Sequence, residues 1–205
     1  MNSKKLSNFI IATVVLTWLY ALVRYNIFKH VAFAQLPLYV TNKAIALSAI
    51  IFIAAATLKT KNNDPDTKLY LSSFGFFLAL IHVMISIILL EPDYFPNLFA
   101  GGKFNVFGEL SILFGVLAFT AFIVLLISTS TREYLKNILK RIASPDYINI
   151  LGILFIVFHT FLLGIKGWMS PKQWPGYLPP ITLLGFIAAI IPIFKKIFGR
   201  MEIDE

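Results

Sequence analysis

The chain has no cysteine. That removes disulfides, thiolate metal sites and iron–sulfur ligation in one stroke. Charge is scarce too. Only 14% of the 205 residues are Asp, Glu, Lys or Arg, too few to clothe a soluble domain of this length. Acids are the scarcer sign, 10 against 18 Lys and Arg, and histidine occurs three times. Apolar sequence stands where charge is missing, at 58% of residues and a mean hydropathy of +0.80. Such a chain reads as an integral membrane protein whose first partner is membrane lipid. Its pI near 9.7 does not point to nucleic acid, because the basic residues fall in short segments between apolar runs. No nucleic-acid partner is expected.

About 20 apolar residues, rising roughly 1.5 Å each, cross a bilayer core. Six stretches have that character: Leu6–Phe28, Leu38–Leu58, Leu69–Leu90, Val106–Ser128, Tyr147–Trp168 and Leu178–Phe194. The predicted fold is an all-α membrane protein, a single six-transmembrane-helix bundle over residues 1–205. The cations set its sense. Lys4, Lys5, Lys59, Lys61, Lys68, Arg132, Lys136, Lys140, Arg141, Lys195, Lys196 and Arg200 outnumber Arg24, Lys29, Lys43, Lys103, Lys166 and Lys172. Positive residues stay inside, which predicts both termini cytoplasmic in a multi-pass protein of the cell (inner) membrane. Tyr25, Tyr39, Tyr94, Trp168, Trp174 and Tyr177 form an outer aromatic belt, and Tyr70, Tyr134 and Tyr147 an inner one.

Lys4 and Lys5 before an apolar run resemble a signal peptide, with Ala32-Phe33-Ala34 in the form of a cleavage site. Arg24, Lys29 and His30 intervene, and the site lies too far beyond the run. The first span is read as uncleaved. Between spans four and five, Ser130 and Glu133 fit a capping box, and Leu135, Ile138, Leu139 and Ile142 fall on one helical face among basic residues. That predicts a short amphipathic helix on the cytoplasmic surface, attracted to anionic lipid or to an acidic donor protein. The connection Glu91–Asn105, with two prolines and two glycines, is expected to fold over the outer mouth of the bundle. Pro179 and Pro180 suit the first turn of the last span, and Pro192 its kinked inner end.

Two spans carry an ionisable group at depth. His82 lies 13 residues past Leu69, and His159 lies 12 past Tyr147. Both spans run from inside to outside, so equal offsets mean equal depth, about 18–20 Å from the inner boundary. Each histidine follows a glycine by seven residues, Gly75 and Gly152, close to two helical turns and therefore on the same face. Buried ionisable residues are costly and mark functional positions. Two neutral imidazoles at matched depth can fill both axial positions of a haem iron, with the glycines admitting the flat macrocycle. Its carboxylates need cations, and Lys166, Arg24 and Lys43 lie near the right outer level. The plain alternatives are interhelical hydrogen bonds for the histidines and snorkelling for the cations. His30, beside Lys29, reads as an interfacial residue. Asn42 and Glu109 receive no role. Phe74, Phe76, Phe77 and Phe155 line the inner approach and read chiefly as packing.

Three segments carry a family likeness. LYLSSFGFFLALIHVMISIILLEPDYF, GVLAFTAFIVLLISTSTREYLKNILKR and YINILGILFIVFHTFLLGI resemble the third, fourth and fifth spans of the ferric reductase-like transmembrane domain family. Within it they are most similar to haem-binding subunits of periplasmic methionine sulfoxide reductase systems. The likeness covers about Thr41 to Trp168. It implies b-type haem with His82 and His159 as axial ligands, and electron transfer from a cytoplasmic flavin or quinol source. Two-haem members carry further histidines on these spans; here Leu69, Pro96, Asp146 and Lys172 stand at those places, so one bis-histidine haem b is expected. A flavin or quinone is compatible with that picture, but no residue identifies one. No loop has room for a nucleotide-binding domain, so a separate electron-donor protein or quinol and an outer electron acceptor are implied. The chain is then a redox subunit and not a complete enzyme. Two rivals compete with it: a transporter or proton pathway using the histidines, and a non-catalytic membrane scaffold.

Overall fold

A computed structural model describes residues 3–58, 65–128 and 144–201. Helices account for nearly all of it. α1 (Ser3–Ala21) runs on into a π-helical turn, Leu22–Phe28. A short 3-10 turn and a second π-helical turn, Leu36–Val40, lead into α2 (Thr41–Leu58). α3 (Pro65–Ile88), α4 (Val106–Ser128), α5 (Pro145–Trp168) and α6 (Ile181–Met201) follow. Six helical stretches are long and apolar enough to cross a membrane, which makes this an all-α, multi-pass membrane protein. The predicted surface helix at Ser130–Ile142 lies outside the described residues.

Local chemistry places the boundaries. Asn105 caps α4, its Oδ1 accepting the Gly108 N–H at 2.9 Å, as asparagine before a first turn commonly does. Ser144 caps α5 ahead of Pro145, whose missing N–H costs nothing in a first turn. The Pro179 carbonyl, just ahead of α6, accepts from Tyr20 Oη at 2.5 Å and from Arg24 Nε at 2.9 Å. These two bonds tie the end of the first span to the start of the last. His30 sits at a positive φ of 58° between the first two spans.

The helices do not pack uniformly. α2 is the hub, lying against α1, α3 and α6; α5 lies against α4 and α6. α3 barely touches α4, and α2 barely touches α5. A seam with few close backbone approaches therefore separates the α2/α3 pair from the α4/α5 pair, with Ile53, Phe122 and Ile153 in one buried cluster across it. Stacking of Phe76 on Phe119, centroids 5.5 Å apart, crosses it toward the end that carries the termini. The outer surface is apolar, with Leu16 65%, Ile87 68% and Val116 58% exposed. A soluble protein would bury such residues, but lipid is a good solvent for them.

The α3–α4 connection returns over the end opposite the termini through a small hairpin, β1 (Phe99–Ala100) and β2 (Lys103–Phe104). It is held down at Gly108. A Cβ there would run into the carbonyl oxygen of Leu98, a main-chain atom that cannot swing aside. Gly108→Ala is expected to lift this connection and to destabilise the fold by about 1–3 kcal/mol, the usual cost of overpacking. Thermal unfolding in detergent checks it, and an unchanged Tm would contradict the docked geometry.

Candidate functional site

His82 lies on α3 and His159 on α5, on opposite sides of the seam. Each ring is tethered to the partner helix of its own pair. His82 Nδ1 is 2.7 Å from Oδ1 of Asn42, a fully buried residue of α2. The Asn42 Nδ2 in turn donates to Ser86 Oγ at 3.0 Å, and that hydroxyl lies 3.4 Å from the same ring nitrogen. His159 Nδ1 is 2.7 Å from the main-chain carbonyl of Ser111 on α4, and 3.2 Å from the Ser111 hydroxyl. A carbonyl oxygen only accepts, so Nδ1 carries the proton in each ring as the side chains are placed. The lone pair of both rings is thereby assigned to Nε2.

Neither Nε2 has a hydrogen-bond partner among the described residues. Neither is shut away as an orphan. Asn26 Oδ1 is the one buried side-chain polar atom without a partner among those residues. Both rings are only partly covered by protein, and they lie within electrostatic reach of one another. Two ring nitrogens free of hydrogen-bond partners, each on a ring fixed through Nδ1, make an arrangement that can ligate. Among the described residues no cluster of three or more His, Asp or Glu could form a cage for a metal ion. Whatever uses this pair must bring its remaining donors with it.

The two glycines predicted beside the rings do share a face with them, and that face is turned to a neighbouring helix. A Cβ on Gly75 would meet Ile53 Cγ1 at 2.9 Å and the Ala49 carbonyl at 3.2 Å, both on α2. One on Gly152 would meet Phe122 Cζ at 3.0 Å and Ala121 Cβ at 3.4 Å, both on α4. They allow close helix approach, and the space above them is filled by protein. The glycine that makes room for a histidine is Gly115 on α4. A Cβ there would stand 3.0 Å from His159 Nδ1 and 3.2 Å from its Cε1. Sequence offsets within one helix do not reveal such a partner. Nor did they reveal Asn42 and Ser111 as the groups that orient the rings.

The predicted cations behave differently. Arg24, Lys43 and Lys166 come from three spans and line one pocket of about 320 Å3 at the end opposite the termini, joined there by Lys29. Arg24 is 5% exposed, its Cζ 5.1 Å from the Tyr25 ring centroid. Lys43 Nζ stands 4.3 Å over the Phe95 ring and 5.0 Å over Tyr39. Lys166 is exposed, 4.7 Å over Phe107. Lys43 is within electrostatic reach of both imidazoles. The pocket thus sits beside the histidine pair, with Gly164 also on its wall. A second cavity of about 500 Å3 opens at the other end, between α2, α3, α4 and α5, where Phe76 and Phe122 meet Lys68, Asp146 and Asn149.

His30, by contrast, is exposed in the turn after the first span and joins neither group. Of the aromatics predicted to line an inner approach, Phe74 packs on Phe52, Phe155 lies 6.0 Å from Phe114, and Phe77 is 54% exposed. No protein-family model and no curated protein matches this chain. Its function has to be read from the two rings and their surroundings.

Proposed function

We propose that the chain is a haem b-containing membrane subunit that carries electrons across the membrane from a cytoplasmic or membrane donor to an outer acceptor. The observation that supports this most is the orientation of the two imidazoles. Each has its Nδ1–H held by an acceptor on the neighbouring helix, which leaves Nε2 to ligate. Second partners of this kind fix the tautomer and raise the basicity of a ligand.

The residues fit the group. His82 and His159 would supply both axial nitrogens, a ligand set that favours electron transfer over oxygen binding. Asn42 and the Ser111 carbonyl orient them. Arg24, Lys43 and Lys166 offer counter-charge to carboxylates from a single pocket at one end of the site. The apolar spans keep water from the centre, and burial together with the bonds to Nδ1 would tune the potential. A bound haem would supply reversible one-electron exchange at its iron. One such group is proposed, because no other histidine faces the seam.

On this reading the donor is a separate protein or quinol, and a flavin or quinone belongs to that step. The placement in the cell (inner) membrane with both termini cytoplasmic, and membership of the ferric reductase-like transmembrane domain family, are parts of the same proposal. The experiment is a reduced-minus-oxidised absorption spectrum of the full-length protein purified from haem-replete cells. A sharp b-type band at a stoichiometry near one haem per chain is the expected result. A colourless preparation counts against the proposal.

A further inference from the structure

The pocket at the end opposite the termini holds more positive charge than the site beneath it can use. Arg24, Lys29, Lys43 and Lys166 all line it, and no Asp or Glu does. None of the four makes an ion pair among the described residues. Snorkelling explains an exposed cation such as Lys166, whose stem covers apolar surface while its head stays wet. It does not explain Arg24 and Lys43 equally well. Arg24 is buried, its Nε already held by the Pro179 carbonyl, and Lys43 points inward between two rings. Lys29, just beyond the first span, is exposed like Lys166 and adds a fourth positive charge to the same wall. Like charges gathered on one wall repel, and a counter-anion is the ordinary remedy. Two haem carboxylates would set two negative charges against these four cations, which would then be shared with any further anion.

We propose that this pocket is an oxyanion site that takes one phosphate- or carboxylate-bearing group in addition to anything bound between the histidines. About 320 Å3 is at the small end of ligand sites, enough for a compact anion and too little for a large cofactor. Arg24 has the planar fork that grips such oxygens, and Lys43 adds a point charge from the facing helix. The π-helical turn after α1, the start of α2, the end of α5 and all three connections at this end contribute to the wall, Trp174 and Pro96 among them. The same chemistry can arrive as a free anion from the aqueous side or as the headgroup of an anionic lipid.

Thermal unfolding of the full-length protein decides it, without any haem signal, so this site and the electron-relay reading fail separately. Inorganic phosphate is titrated in nanodiscs of phosphatidylcholine, with chloride at equal ionic strength as reference. Phosphate is expected to raise Tm saturably and chloride is not, by the linkage between binding and stability. Lys43→Gln should weaken the apparent Kd by about tenfold or more, the worth of one charged hydrogen bond. If that variant does not fold, Lys166→Gln at the exposed rim carries the test with a weakening of about threefold to tenfold. Lys172→Gln, a cation of the same end that does not line the pocket, should titrate like the wild type. In discs containing phosphatidylglycerol, loss of the phosphate response identifies the lipid headgroup as the natural source, and its persistence identifies a free anion. Equal responses to phosphate and chloride, or unchanged titration in both Lys43→Gln and Lys166→Gln, overturn the proposal.

Discussion

His159→Ala is expected to abolish the b-type band of the purified protein and to regain part of it when imidazole is added. The reasoning starts from what the ring touches. Its Nδ1–H is given to the Ser111 carbonyl at 2.7 Å, and its face lies against Gly115, which has no side chain to fill the space. Removing the ring therefore opens a cavity of about the ring's own size, with a polar carbonyl left at its back wall. Free imidazole can enter such a cavity, donate to the same carbonyl and present its second nitrogen to the metal. His159→Phe keeps the volume and lacks a lone pair, so it should be colourless and should not respond to imidazole. The contrast separates a ligand from a packing residue, because a purely structural role predicts the reverse order of damage. His82→Ala should behave like His159→Ala, whereas His30→Ala should leave the spectrum alone, since His30 is exposed in the turn after the first span. A band that survives in both His82→Ala and His159→Ala removes the axial assignment altogether.

Much of the fold is legible in the sequence because membrane crossing imposes a length. Val106–Ser128 appears in the structure with the predicted bounds, and Tyr147–Trp168 is lengthened by two residues to Pro145, behind the Ser144 cap. The first span starts three residues earlier than its apolar run, at Ser3, and its last turn is π-helical, which no hydropathy pattern signals. The last α-helix begins at Ile181, past both prolines, and not near Leu178. The site divides along the same line. His82 and His159 stand out because an ionisable group deep in a span is expensive, and the three cations stand out because they sit at one level. Partners on other helices leave no such mark. Asn42 is 40 residues from the ring it orients, and Ser111 is 48 from the other. Asn42 lies between Thr41 and Lys43 at the polar end of α2, where one more polar residue is an inconspicuous signal. For Ser111 even that fails, since its main-chain carbonyl does the work and every residue has one.

That difference between a side-chain acceptor and a main-chain acceptor makes the two histidines unequal under substitution. Asn42→Leu removes the group that accepts from His82 Nδ1, and leaves the Ser86 hydroxyl, now at 3.4 Å, as a poor replacement from one turn along the same helix. Two costs follow. A buried donor loses its partner, worth about 1–3 kcal/mol of stability. The ring is also free to rotate or change tautomer, and loss of such a second partner lowers metal affinity by about 10–100-fold. Ser111→Ala keeps the 2.7 Å bond to the carbonyl and gives up only hydroxyl contacts at 3.2 and 3.3 Å. Its effect should stay within about 1 kcal/mol, the net worth of one ordinary hydrogen bond. Haem retention measured against a haem-scavenging protein reads both. Asn42→Leu should lose haem at least tenfold more readily than Ser111→Ala, and Asn42→Leu combined with Ser86→Ala more readily still. Equal retention in the single variants would mean that the rings are positioned by packing alone, and that the lone pair at Nε2 owes nothing to the bonds behind it.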